Sequence, residues 1–131
     1  MPKTVTTTSE DGFASTSSVD GDELFIDATG EETPDTLDHL LATYAACYVP
    51  ALRVGGQQRG VDELGEVEFH VTGELNEDDK LEAVAFEVTA EADVDEETAT
   101  AIIERANELC KVHDALKSTL HASITFNGHE I

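Results

Sequence analysis

Between Gly65 and Leu75 apolar and polar residues alternate, with Val67, Phe69 and Val71 on one side and Glu66, Glu68, His70 and Thr72 on the other. An acidic turn, Asn76 to Asp79, leads into a second alternating run from Leu81 to Val94. There Val84, Phe86, Val88, Ala90 and Ala92 face opposite Glu87, Thr89, Glu91 and Asp93. Period-two alternation marks strands with one wet face, so the two runs predict an antiparallel hairpin. The period then changes. Ala99, Ile102, Ile103, Ala106, Leu109 and Cys110 recur at helical spacing behind Asp95, with Glu96 and Glu97 in the first turn. A short helix over Val112 to Leu120 and a last strand over Ala122 to Phe126 complete this half.

The first thirty residues read as short strands, Val5–Ser9, Phe13–Val19 and Glu23–Ala28, separated by Glu10-Asp11-Gly12 and Asp20-Gly21-Asp22 turns. Behind them, Thr33 to Arg53 predicts a long helix. Leu37, Leu40, Leu41, Tyr44, Tyr48, Ala51 and Leu52 share one face, and Ala42, Ala45, Ala46 and Val49 make the other small and apolar. A helix apolar nearly all round is expected to be buried. Thr33 is the predicted cap, Pro34 suits the first helical position, and Gly55 and Gly56 are the predicted stop. Pro50 leaves the Ala46 carbonyl without its helical donor and predicts a bend just after Cys47. The resulting order of strands, helix, strands, helix and strand predicts an α+β fold, helices packed on one face of an antiparallel sheet, in a single domain spanning 1–131.

Charge changes the picture more than any other compositional feature. With 29 acidic and 7 basic residues the formal net charge is −22. Clustered Lys and Arg, which phosphate contacts need, are missing, so no nucleic-acid partner is expected. A composition 40% hydrophobic and cleanly periodic argues for a folded chain rather than a disordered one. It resembles halophile-adapted proteins, in which concentrated salt screens surface repulsion over a few ångströms. No apolar run is long enough for a membrane span, and the first ten residues carry no apolar stretch of a leader, so the expected location is cytoplasmic.

In such a reducing compartment the two cysteines, Cys47 and Cys110, are not expected to form a structural disulfide, whereas a transient catalytic one is compatible. Both fall on core-facing sides of helices, and free cysteine is also a common core filler. A redox pair would need a thiolate favoured by a positive charge or helix N-terminus, and a second cysteine within about 7 Å between Cα atoms. His39 and His113 are of ligand type beside them, but no close paired spacing marks a metal site, and no cofactor is expected.

The run T-L-D-H-L-L-A-T-Y-A-A-C-Y at 36–48, followed by C-K-V-H-D-A-L at 110–116, resembles the OsmC/Ohr family of osmotically induced and organic-hydroperoxide-resistance proteins. That resemblance implies an OsmC-like fold, a central buried cysteine-bearing helix and an intertwined homodimer. It also implies that Cys47 is peroxidatic and Cys110 resolving, that the substrate is a small organic hydroperoxide, and that a dithiol reductant of lipoyl type resets the disulfide. Peroxidase members hold the thiolate with an arginine preceding the first cysteine. Here only Lys3 is basic before Cys47. Asp38, Arg53 and His113 are therefore the candidate assisting residues: Asp38 from the helix start, Arg53 across the Pro50 bend, with Arg59 behind it, and His113 as a proton acceptor for Cys110. His70, His121 and His129 are expected to be exposed polar residues. The competing reading is a non-catalytic member of the same fold that binds an apolar ligand or partner and keeps its cysteines as core.

Overall fold

A computed structural model describes all residues, 1–131. The chain forms two compact units, Met1–Leu40 and Leu41–Ile131.

In the first unit β1 (Thr6–Thr8), β2 (Ala14–Val19) and β3 (Asp22–Asp27) form an antiparallel sheet in the order β1-β2-β3. Asp20 and Gly21 make the tight β2–β3 turn, both at positive φ. At the end of β3 the Asp27 carboxylate accepts the Thr29 main-chain and hydroxyl hydrogens at 2.9 and 2.7 Å and the Glu32 N–H at 3.2 Å. The long helix α1 (Thr36–Gln58) starts in this unit and continues into the second. Its cap is Asp35 rather than Thr33. Asp38 N–H donates to Asp35 Oδ1 at 2.9 Å while Asp35 N–H donates to Asp38 Oδ2 at 3.1 Å, a reciprocal exchange that outcompetes the one-sided cap Thr33 offers.

Nor do Gly55 and Gly56 stop α1. Both are buried inside it, and a Cβ on Gly55 would lie 3.0 Å from the Ile102 carbonyl oxygen of the second long helix, α2 (Glu96–Leu109). Gly55 thus lets two helix backbones approach closely, while a Cβ on Gly56 would press on the Val61 carbonyl oxygen at 3.2 Å. Pro50 is likewise accommodated within the helix, on an exposed position. The expectation of burial all round is corrected as well. Tyr44, Tyr48, Ala51 and Leu52 are buried, whereas Ala42, Ala46, Pro50 and Val54 leave an exposed stripe at four-residue spacing.

The second unit holds a four-stranded sheet in the order β4 (Val67–Leu75), β5 (Leu81–Ala90), β6 (Ser123–Phe126), β7 (His129–Glu130). The β4–β5 hairpin has the predicted faces, with Val84, Phe86, Val88 and Ala90 buried. β6 departs from an all-antiparallel sheet: it pairs parallel to β5, Phe86 opposite Ile124. The connection through α2, α3 (Lys111–Ala115) and a 3-10 turn (Ser118–Leu120) is long enough to carry the chain back to the same end. Phe86 organises the core. Its ring lies edge-to-face with Tyr44, Phe69 and Tyr48 at 4.7, 5.3 and 5.4 Å between centroids. Asp95 caps α2 by accepting the Thr98 N–H at 2.8 Å.

Candidate functional site

Both cysteines belong to the second unit. Cys47 sits on α1 between the buried Tyr44 and Tyr48, itself half-buried. Cys110 is buried at the junction where α2 ends and α3 begins. Its N–H still donates to Ala106 at 2.9 Å, while its sulfur caps α3 by accepting the His113 N–H at 3.5 Å. The two thiols are free and near enough for each to shift the other's acidity.

Their surroundings push them in opposite directions. Burial raises the Cys47 thiol, but the Val112 N–H, the Cys110 thiol, the Lys111 N–H and the Lys111 ammonium together outweigh it, leaving Cys47 below the ordinary cysteine value. These main-chain donors are the first of α3 and have no carbonyl partner within that helix. Cys110 goes the other way. Burial raises it, and the neighbouring Cys47 adds to the rise, against the favourable His113 N–H. These surroundings favour a thiolate on Cys47 over one on Cys110.

A ring cluster flanks the pair. Tyr44 Oη and His113 Nδ1 are 2.7 Å apart, and Tyr44 Oη also accepts the Ala122 N–H at 3.0 Å. His113 stacks on His121 at 3.8 Å, and His121 Nε2 donates to the Leu116 carbonyl at 3.1 Å. Burial first, and then the neighbouring His121, lower the His113 imidazole below its ordinary value, against the charge of Asp114. Burial likewise raises Tyr44 and Tyr48, so both stay neutral phenols. Tyr48 donates to Asn107 Oδ1 at 2.7 Å.

The residues singled out from sequence separate accordingly. Cys47 and Cys110 meet. His113 joins them, but its ring is turned to Tyr44 and only its main-chain N–H reaches the Cys110 sulfur. The Asp38 carboxylate is engaged with Asp35 N–H in the first unit. Arg53 is exposed and lines a shallow depression with Gln57, Asp62 and Glu63, while Arg59 donates to the Gln58 carbonyl. The cation acting on Cys47 is Lys111, which the sequence reading passed over. Its one signal was its place directly behind Cys110. His121 is not a plain surface residue but half of the imidazole stack. His39 and His129 also turn inward, His39 Nδ1 to the Asp35 carbonyl at 2.8 Å and His129 Nε2 to the Val94 carbonyl at 3.0 Å.

The second unit thus presents a paired-thiol α+β protein, one thiol acidified at the start of a short helix. A family model described as OsmC-like protein matches residues 28–125, and the chain belongs to that family. It is similar to an uncharacterized protein of Haloferax volcanii, 46% identical over 122 residues that cover 93% of this chain and 92% of that one. Among solved structures, an OsmC-like protein from Mycoplasma pneumoniae superposes with a TM-score of 0.79 at 17% identity, covering 97% and 95% of the two chains. The organic hydroperoxide resistance protein OhrB of Bacillus subtilis superposes with a TM-score of 0.69 at 24% identity, covering 94% and 97%. The fold is therefore one shared with proteins named for hydroperoxide resistance. No helix is long and apolar enough to cross a membrane.

Proposed function

We propose that this protein reduces small organic hydroperoxides, with Cys47 as the attacking thiolate and Cys110 as the resolving thiol. The proposal is carried by two free cysteines brought side by side from α1 and the α2–α3 junction, in surroundings that favour ionisation of Cys47 and disfavour that of Cys110. The Cys47 thiolate attacks the distal peroxide oxygen, the O–O bond breaks, and an alkoxide leaves and takes up a proton to become the alcohol. Cys47 is left as a sulfenic acid. Cys110 then attacks that sulfur, its thiol proton leaves with the hydroxide as water, and a Cys47–Cys110 disulfide forms. An external dithiol of lipoyl type returns both thiols by exchange and is itself oxidised to its disulfide. Lys111 supplies the charge for which the preceding sequence offers no arginine.

We place the protein in the cytoplasm, as a homodimer. Two exposed apolar surfaces support a second copy as partner. One is the Ala42, Ala46, Pro50, Val54 stripe of α1, and the other is formed by Phe13, Leu24 and Phe25 of the first unit. Light scattering in concentrated salt tests the dimer.

The chemistry is tested by adding one equivalent of an organic hydroperoxide to the reduced protein in high salt, then counting thiols and measuring intact mass. Loss of two thiols within seconds, with loss of two hydrogens, is the expected result. Retention of both thiols for hours would instead favour a non-catalytic protein whose cysteines serve as core.

A further inference from the structure

Tyr44 and Cys47 lie three residues apart on α1, and Cys110 and His113 lie three apart at the start of α3. Two rungs join these segments. One is the pairing of the two cysteines, near enough to shift each other's acidity. The other is the 2.7 Å hydrogen bond between Tyr44 Oη and His113 Nδ1. His113 belongs to both, because its main-chain N–H also holds the Cys110 sulfur at 3.5 Å. One residue therefore grips the second thiol with its backbone and the helix of the first with its ring.

The protons on the second rung follow from its partners. Tyr44 Oη accepts the Ala122 N–H at 3.0 Å, and its own hydrogen can be given to His113 Nδ1 when that nitrogen is unprotonated. That arrangement goes with a neutral His113, protonated on Nε2. A second proton on Nδ1 would turn this acceptor into a donor, so the Tyr44 hydrogen would have to swing away and Oη accept from two N–H groups. His121, stacked at 3.8 Å, disfavours a second cation beside it. The other titratable groups acting on the His113 ring are Asp114 on its own helix, which favours the charge, and Tyr44, a neutral phenol.

We infer that Tyr44, His113 and His121 form a pH-sensitive latch that keeps Cys110 in register with Cys47, making Tyr44 and His113 positioning residues for disulfide closure. The inference builds on the proposed roles of the two cysteines, but its test needs no peroxide. With the latch closed, Cys110 meets any sulfur bonded to Cys47. With His113 charged, the rung must reverse its donor and acceptor beside His121 and is weakened, α3 is left to the packing of Val112 and Leu116, and closure slows.

The test uses the full-length reduced protein in high salt with an uncharged dipyridyl disulfide. Cys47 attacks first and releases one thiopyridone, forming a mixed disulfide. Cys110 then attacks the Cys47 sulfur, and its thiol proton leaves on the second thiopyridone as the intramolecular disulfide closes. Tyr44→Phe keeps the aromatic packing and removes only the hydroxyl. It is expected to slow the second phase about fivefold or more while the first changes by less than about twofold, the loss of one hydrogen bond acting on closure alone. In the wild type, the logarithm of the closure rate should rise with pH at a slope of about one, steepening only across the His113 transition, where closure recovers the rate lost with the open latch. The added proton is that of the latch. In Tyr44→Phe and His113→Gln the slope should stay near one throughout. Closure at wild-type rate and slope in both variants would overturn the latch and leave the thiol pair intact. Equal slowing of both phases would also overturn it, since that is the mark of general damage. A wild type that releases a single thiopyridone and never closes would overturn the thiol pair itself, and the latch with it.

Discussion

The Cys110 sulfur accepts the His113 N–H at 3.5 Å, so the side chain proposed as the resolving thiol also caps α3. Serine retains the capping oxygen but not the sulfur. Cys110→Ser is expected to fold, to consume one equivalent of hydroperoxide and then to stop with Cys47 as sulfenic acid. Intact mass checks this as a gain of one oxygen with no further turnover. Cys47→Ser should consume none.

The opposed acidities predict a pH profile. A lowered thiol ionises earlier as pH rises, so Cys47 should alkylate with a midpoint below that of an ordinary cysteine, and Cys110 above it. Lys111→Gln removes one favourable charge and leaves both main-chain donors in place. Its Cys47 midpoint should move upward without reaching that of Cys110. Iodoacetamide kinetics followed by peptide mapping resolve the two sites, and an unmoved midpoint would remove Lys111 from the site.

Gly55 sets the closest helix approach, and a methyl there would lie 3.0 Å from the Ile102 carbonyl oxygen. Two effects compete in Gly55→Ala. Alanine is better in a helix by about 1 kcal/mol, whereas overpacking against a fixed backbone costs about 1–3 kcal/mol. The clash should win, with a net loss of about 1 kcal/mol in denaturant titration. A stabilised variant would show that α1 and α2 can part cheaply.

Salt should matter more here than in a balanced protein. Against a net charge of −22, the one ion pair is Arg105–Glu108 at 2.8 Å, between side chains still in water. Self-repulsion is therefore screened by ions rather than cancelled by partners. Tm is expected to climb with added salt and to level off near about 1 M, where screening acts over about 3 Å. A Tm that does not depend on salt would contradict this.

Protonation of His113 supplies a second acid sensitivity. Its imidazole is lowered in the fold, so the unfolded chain binds that proton first as pH falls. The stability it contributes is complete above the ordinary histidine value of about 6.5 and declines as pH drops from there through the lowered folded value. His113→Gln should flatten that part of the stability curve, as read by denaturant titration across mildly acidic pH.

Much of this structure was legible in the chain because local period and local burial agree. The β4–β5 hairpin needs only alternation, and α2 needs only a cap at Asp95 and a stripe through Ile102 and Ile103. The family resemblance was carried by the stretches around Cys47 and Cys110. What local pattern misjudged depends on neighbours remote in sequence. Gly55 and Gly56 look like a helix stop until α2 is seen to crowd the first and the Val61–Leu64 segment the second. β6 became parallel because of where the α2–α3 connection returns it, and β7 is too short to carry a period. The charge beside Cys47 was sought in residues close to it along the chain. It comes instead from Lys111, as the Tyr44–His113–His121 cluster comes from three separate segments. Periodicity is a property of consecutive residues, but a thiol's acidity and a ring's protonation depend on which distant groups folding brings within hydrogen-bond reach.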